Sequence, residues 1–373
     1  MAKLFDVVSR ILQNKFVKSL AQKGKAQYPN AYVWLWGLIA QVDDTYTEFT
    51  FPEGKVRFWE AARSDRRGIG RVALQIRNYL TQRDIGMGEN EKLSMNVVNF
   101  FPSILFCPRK LPKHSVVIVH DVIPLKVPNF FDTVHVALWK KRFKLIAEQA
   151  DLIITVSETS KKDIHDVLGI REDIIKVVKV GVSAIDGHDF DQLNNFIFKD
   201  HKYIVALGTT DRHKNIEIIL NALQDASLTD ISLVVIGDSS RLEPLIPETI
   251  RSRVYLLGKI NDQDVGLILK NAMALVFPSV YEGFGLPPFE AALLRCPIIL
   301  SKRPAMTELW STSECYFVEP TDCDGWVRAI NLARKQDVEK VNKAYCKAKE
   351  YLGANPCESI YGYLIQVLDN KGK

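Results

Sequence analysis

Short apolar runs recur along most of this chain, each separated from the next by a segment whose apolar residues fall three and four apart. The runs 55-KVRFWEA-61, 116-VVIVH-120, 152-LIITVS-157 and 174-IIKVVKVG-181 read as strands. Between them, 71-RVALQIRNYL-80 sets Val72, Ile76 and Tyr79 on one side of a helix, and 133-TVHVALWKKRFKLIAEQA-150 reads as a longer helix. From 182 to 201 the pattern lapses into VSAIDGHDFDQLNNFIFKDH, rich in Asp and Asn. Apolar runs resume at 203-YIVALG-208, 231-ISLVVIG-237, 253-RVYLLG-258, 274-ALVF-277 and 297-PIILS-301, again with helical segments between, and a last helix is expected over 338–369. Strands alternating with helices imply parallel sheets covered on both faces. The fold class expected is α/β: two Rossmann-like, doubly wound halves that face each other across a cleft and join near 183–200. The division is 1–50 as an N-terminal extension, 51–190 and 191–345 as the two α/β domains, and 346–373 as a closing helix.

Composition agrees with a large soluble core. The chain has 373 residues, 47% apolar and 25% charged, enough for two or three domains of roughly 150 residues. Cys107, Cys296, Cys315, Cys323, Cys346 and Cys357 are scattered, without a CxxC pair or a Cys/His spacing for a metal, as in a reducing cytosol. No run reaches the roughly 20 apolar residues of a membrane span; 31-AYVWLWGLIA-40 comes nearest. The opening turns lack the apolar core and cleavage site of a signal peptide, so a cytoplasmic protein is expected. The net charge of +5 equals the excess in residues 1–30, where Lys3, Arg10, Lys15, Lys18, Lys23 and Lys25 face only Asp6. Phe5, Val8, Leu12 and Phe16 recur there at helical spacing. Such a basic amphipathic helix, over about residues 1–25, either lies on an anionic membrane surface or docks on its own domain. No nucleic-acid partner is expected.

Ligands of open α/β sheets bind beyond the carboxyl ends of the strands, which directs attention to four places. Gly68-Ile69-Gly70-Arg71 follows the first strand and precedes a helix, either as a tight turn or as a close approach of backbone to an anion. His120-Asp121 closes a strand, where a histidine is structural or meets a sugar hydroxyl or developing charge. In 208-GTTDRHKN-215, Gly208 ends a strand and Arg212 and Lys214 sit before a helix, either as a solvated basic loop or as a cradle for a diphosphate. The fourth is 274-ALVFPSVYEGFGLPPFEAALLRCPIIL-300, in which two short strands flank a crossover. Its proline pair suits a first helical turn, and Gly283, Phe284, Gly285 and Leu286 offer backbone donors just ahead of it. Glu282 and Glu290 flank that turn, poorly placed to hold phosphate but well placed to accept from hydroxyls of sugars on either side of it.

These stretches together resemble a known family. Glu-x7-Glu around GFGLP, Lys-Asn at the first turn of the second half, HDVIPL after a strand, RRGIGR, ADLIITVSETS and 304-PAMTELWSTSECYFVEPTD-322 are similar, in order, to retaining GT-B glycosyltransferases of family four, the mannosyltransferase-like enzymes of bacterial surface polysaccharide synthesis. The likeness covers about residues 55–330. It implies a nucleoside-diphosphate sugar held mainly by the C-terminal domain, with GDP-mannose favoured. It implies an acceptor on the N-terminal side, a lipid-linked oligosaccharide of O-antigen, capsule or exopolysaccharide; a peripheral place on the inner face of the bacterial plasma membrane is expected separately, from the basic segment over residues 1–25. By the same resemblance Glu290 binds the ribose, Glu282 the donor sugar, Arg212 and Lys214 the diphosphate, and the Phe284–Leu286 backbone both phosphate and sugar. His120 reaches the donor sugar, the Gly68–Gly70 loop lies near the phosphates, and the last helix returns to the first domain. Transfer would keep the anomeric configuration without a metal or other cofactor. Thr210 stands where many members carry an arginine, so Arg212 is read as its substitute, and Val180-Gly181 stands where many have Asn-Gly. A nucleotide-sugar epimerase on the same scaffold and a non-catalytic, membrane-associated assembly scaffold remain the alternatives.

Overall fold

A computed structural model of the chain describes residues 46–59, 69–86, 96–104, 107–108, 110–182, 202–207 and 211–369. The basic segment over residues 1–25, Gly68, Gly208 and the linker at 183–200 lie outside the described residues. The chain divides into two compact units. One takes the described residues up to Thr155, Asp163–Lys176 and the chain from Cys357 onward; the other takes Val156–Lys162 and Val177–Pro356.

The first unit is built on a six-stranded sheet in sequential order: Tyr46–Phe51 (β1), Gly54–Trp59 (β2), Val97–Phe101 (β3), Ser115–Ile118 (β4), Leu152–Thr155 (β5) and Ile175–Val177 (β6). β2 through β5 run parallel. β1 is antiparallel to β2, with Phe51 opposite Gly54 across Pro52-Glu53. Residues 46–50 therefore belong to this sheet, and the α/β unit starts ahead of residue 51. Periodicity also passes over β3, because Asn99 interrupts its apolar run. In the fold that polarity is satisfied internally: Asn99 accepts from the Trp59 indole at 3.1 Å and donates to the Lys113 carbonyl at 2.9 Å. Helix Ile69–Arg83 (α1) buries Ile76 and Leu80, and Thr133–Gln149 (α2) starts at Asp132, whose carboxylate caps the His135 N–H. Helix Glu158–Leu168 (α3) follows β5.

The second unit holds an all-parallel sheet of Lys202–Leu207 (β7), Ile231–Ile236 (β8), Val254–Gly258 (β9), Ala274–Phe277 (β10), Ile298–Ser301 (β11) and Tyr316–Val318 (β12). Its order is β12-β11-β10-β7-β8-β9. Counted from β7 as the first strand, that is the 3-2-1-4-5-6 order of dinucleotide-binding folds, with the switch point between β7 and β10. Alternate residues of each strand enter opposite cores. Val205, Val234, Leu275 and Leu300 pack with Phe289 and Trp310; Ile204, Val235, Val276 and Ile299 pack with Trp326 and Ile330. Each such side chain contributes about 1.5–3 kcal/mol on burial, so both faces of the sheet must stay covered.

The covering helices of this unit include Asp262–Asn271 (α4), Leu286–Leu293 (α5), Cys323–Ala333 (α6) and Val338–Lys349 (α7). The single last helix expected over 338–369 is in fact two. Gly353 takes a left-handed φ of 72° and Pro356 cannot continue a helix from behind, so Pro356–Asp369 (α8) starts afresh. From Cys357 the chain packs in the first unit, where Tyr361 meets Phe51 at 5.2 Å between ring centroids. The turn before it closes on Gly181: a Cβ there would stand 2.1 Å from the Ala354 carbonyl oxygen. The Val182 N–H donates to the Tyr351 carbonyl at 3.0 Å beside it. Among the described residues no helix is long and apolar enough to cross a membrane.

Candidate functional site at the switch point of the second sheet

β7 and β10 are neighbours in the sheet and their following connections leave in opposite directions, which opens a crevice at their carboxyl ends. Arg212 and Lys214 lie on the connection after β7, in a 3-10 turn over Arg212–Lys214. Glu282 through Leu286 lie on the connection after β10. The two connections meet: the Lys214 ammonium is 2.6 Å from the Glu282 carboxylate, with the side chains only 20% and 10% exposed. Lys214 also stands 5.6 Å from the centroid of Phe277, the last residue of β10. A cation and an anion are thus held largely out of water at the switch point.

Asn215 fixes that meeting in place. It adopts a left-handed conformation, φ 55° and ψ 32°, which ends the 3-10 turn. Asparagine tolerates this region better than most residues. Its side-chain amide donates to the Pro278 carbonyl at 3.2 Å and the Pro320 carbonyl at 2.9 Å, tying the β7 turn to the ends of β10 and β12. The Val280 N–H donates to the His213 carbonyl at 2.8 Å and adds a second tie. His213 itself is buried, and burial first, then the charge of Lys214, lowers its pKa, so the ring stays neutral and structural. Arg212 is exposed.

The glycine-bent loop is equally constrained. Gly285 is the residue before α5 and takes φ 86°, ψ 77°; a Cβ there would lie 2.7 Å from Met306 Cε. Pro287 and Pro288 occupy the first helical turn, where their missing N–H groups cost nothing. The Phe284 ring is buried and stacks on Phe289 with centroids 5.1 Å apart and planes 10° apart. Only its backbone is left to meet a ligand. Leu286 is half-buried against the same core, and Glu290, half-buried, sits one turn into α5. The Gly283 carbonyl accepts from two buried hydroxyls, Ser157 at 2.6 Å and Ser160 at 3.3 Å. Sequence reasoning assigns no chemistry to these serines or to Asn215; ADLIITVSETS and Lys-Asn are visible as motifs, but not what they touch.

In the first unit, His120 follows β4. Its Nε2 is buried and has no hydrogen-bond partner among the described residues. Burial pushes its pKa down to about 4, against a smaller opposing effect from a hydrogen bond to the Pro102 backbone. Because Pro102 offers only a carbonyl, the ring donates there, through Nδ1. His120 is therefore neutral near pH 7 and presents Nε2 as an acceptor. Gly70 lies in the first turn of α1. No group of three or more His, Cys, Asp or Glu side chains suited to a metal occurs among the described residues.

Two parallel α/β units of this kind define the GT-B fold, the architecture of a class of glycosyltransferases. The structure is similar to Anabaena HepE in complex with UDP-glucose, with a TM-score of 0.56 and 18% identity over 69% of this chain and 72% of that one. It is similar at a TM-score of 0.58 and 18% identity to the sucrose-phosphate synthase of Thermosynechococcus elongatus, over 89% and 88% of the two chains. Residues 188–351, the part that carries the Lys214–Glu282 site, match the family Glycosyl transferases group 1. The O-antigen chain mannosyltransferase RfbU of Salmonella typhimurium is 26% identical over 248 residues, 65% of this chain and 65% of that protein. The chain thus spans just under two thirds of that relative's length.

Proposed function

We propose that this protein is a metal-independent, retaining glycosyltransferase. It takes a hexose, best mannose from GDP-mannose, to a lipid-linked oligosaccharide in the synthesis of a bacterial surface polysaccharide such as O-antigen. The observation that carries this reading is the Lys214–Glu282 pair at the switch point, beside a loop whose backbone donors precede α5. The likeness to an O-antigen chain mannosyltransferase supports the sugar and the pathway class, and the UDP-glucose complex of a protein with this fold supports a nucleotide-sugar donor.

The chemistry needs a leaving diphosphate stabilised as it gains charge. Lys214, Arg212 and the N–H groups of Phe284 to Leu286 supply positive potential there, stronger in the transition state than in the ground state. The acceptor hydroxyl forms the new bond to the anomeric carbon while the bond to the diphosphate oxygen breaks. The electron pair and the acceptor's proton both go to the departing diphosphate. Glu282 and Glu290 accept hydrogen bonds from the sugar and the ribose, and Gly283 and Gly285 keep the backbone close to the donor. His120 accepts through Nε2 from a sugar hydroxyl. The basic segment over residues 1–25 holds the protein peripherally on anionic membrane from the cytoplasmic side.

The test combines a thermal-shift panel of GDP, UDP, dTDP and ADP with a transfer assay using GDP-mannose, UDP-glucose and dTDP-rhamnose on lipid-linked acceptors. A bound ligand raises the unfolding temperature by mass action. Transfer that persists in EDTA and disappears in Glu282→Ala is expected. No shift with any nucleotide, or a fully active Glu282→Ala enzyme, defeats the proposal.

A further inference from the structure

The Gly283 carbonyl is held by more than the loop that contains it. Ser157 and Ser160, 2% and 1% exposed, both aim their hydroxyls at it, from a segment 126 and 123 residues earlier in the chain. A carbonyl can only accept, so the hydroxyl proton of Ser157 must point to Gly283. Its lone pair then accepts the Ser160 N–H at 3.0 Å, which makes Ser157 the cap of α3 as well. The remaining donors of that helix start are occupied: Glu308 accepts the Glu158 N–H at 2.9 Å, the Thr159 N–H at 2.7 Å and the Thr159 hydroxyl at 2.6 Å. The Lys161 N–H returns to the Ser157 carbonyl at 3.0 Å. The serines thus sit on a helix start anchored at every donor, which gives them a fixed direction.

A fixed carbonyl fixes its peptide plane. No cis peptide bond occurs among the described residues, and in a planar trans peptide the N–H points opposite to the C=O. With the Gly283 oxygen held toward the serines, the Phe284 N–H points away from them. The plane has little freedom on its other side, because the Phe284 ring is stacked on Phe289 and Gly285 is locked at φ 86°.

We propose that Ser157 and Ser160 are positioning residues that orient the Gly283–Phe284 peptide so that its N–H faces the diphosphate of the donor. This rests on the reading of the second unit as the donor site. The serines never touch the substrate; they hold one backbone donor in the direction where negative charge develops, and preorganisation of this kind is what makes such donors effective.

The test is calorimetric binding of GDP, UDP, dTDP and ADP, each compared with its nucleoside, to the full chain and to Ser157→Ala, Ser157→Thr and Ser160→Ala. Loss of one well-placed hydrogen bond corresponds to a change of about three- to tenfold. Ser157→Ala should weaken the diphosphate about tenfold and the nucleoside less than twofold, and Ser157→Thr, which keeps the hydroxyl, should restore the difference. Ser160→Ala, whose side chain takes no part in capping, should show the same selective loss at about threefold; it decides the matter if Ser157→Ala does not fold. Alanine variants that bind the diphosphate as tightly as the wild type, or that lose diphosphate and nucleoside alike, overturn the proposal while leaving the donor site standing. A wild-type chain that binds none of the four diphosphates instead removes the donor site, and this inference with it.

Discussion

Replacing Lys214 by methionine separates what this residue does for the fold from what it does for the reaction. Lys214→Met keeps most of the length of the side chain and removes its charge, leaving the buried Glu282 as an anion without its cation. Breaking a buried ion pair from one side typically costs about 3–5 kcal/mol. Lys214 retains 20% exposure and Glu282 10%, so solvent offsets part of this, and about 2–3 kcal/mol is expected. For a unit of this size that lowers the unfolding temperature by roughly 5–10 °C. Adding Glu282→Gln removes the uncompensated charge and should recover most of the lost stability. Transfer should behave otherwise: loss of a charge that stabilises the leaving diphosphate costs about 10²–10³ in rate, and neutralising Glu282 does not return it. The measurements are calorimetric unfolding and initial transfer rates for the wild type, both single variants and the double variant, with the coupling taken from the cycle. If the double variant regains transfer together with stability, Lys214 is only structural. A Lys214→Met protein with undiminished affinity for nucleoside diphosphate would likewise confine Lys214 to a structural role.

Three further outcomes follow from the structure. Gly285→Ala should destabilise by about 2–3 kcal/mol in urea titration, from the left-handed φ and the 2.7 Å approach to Met306 Cε; adding Met306→Ala should relieve the contact but not the backbone strain. Gly181→Ala should destabilise at the upper end of roughly 1–3 kcal/mol, since the atom in the way, at 2.1 Å, is a backbone carbonyl that cannot rotate aside. His120 should shape the acid side of the stability curve. Its folded pKa of about 4 lies below the ordinary 6.5, so between those values the unfolded chain binds a proton that the folded chain refuses. Stability should therefore fall as pH drops from 6.5 toward 4 and lose nothing more from this group below 4. His120→Gln should flatten that slope, and an unchanged slope would show the group is not buried as described.

Much of the fold could be read from alternation alone. Strands β7, β8, β10 and β11 appear in the sequence as YIVALG, ISLVVIG, ALVF and PIILS because a strand covered on both faces is apolar at nearly every position. The elements that escaped had their signal diluted. β3 carries Asn99, whose partners lie on β2 and in the loop at Lys113; β1 is half exposed at its start; β12 is three residues long. The last helix reads as one because the break is short: α7 ends at Lys349, Gly353 takes a left-handed φ in the turn that follows, and Pro356 begins α8.

The site divides in the same way, along the line between local and distant interactions. A glycine at 285, a proline pair at 287–288 and cations after the first strand of the second half declare themselves locally, since left-handed backbone, the first helical turn and a strand-end turn each select residue types within a few positions. That Lys214 pairs with Glu282 across 68 residues, and that Ser157 grips Gly283 across 126, could not be read this way. Those contacts exist because β7 lands beside β10 and because the start of α3 packs in the second unit, outcomes of burying both faces of one sheet. Residue types follow from short-range stereochemistry and are written in the chain; partners follow from which apolar surfaces find each other, and no spacing in the sequence records that choice.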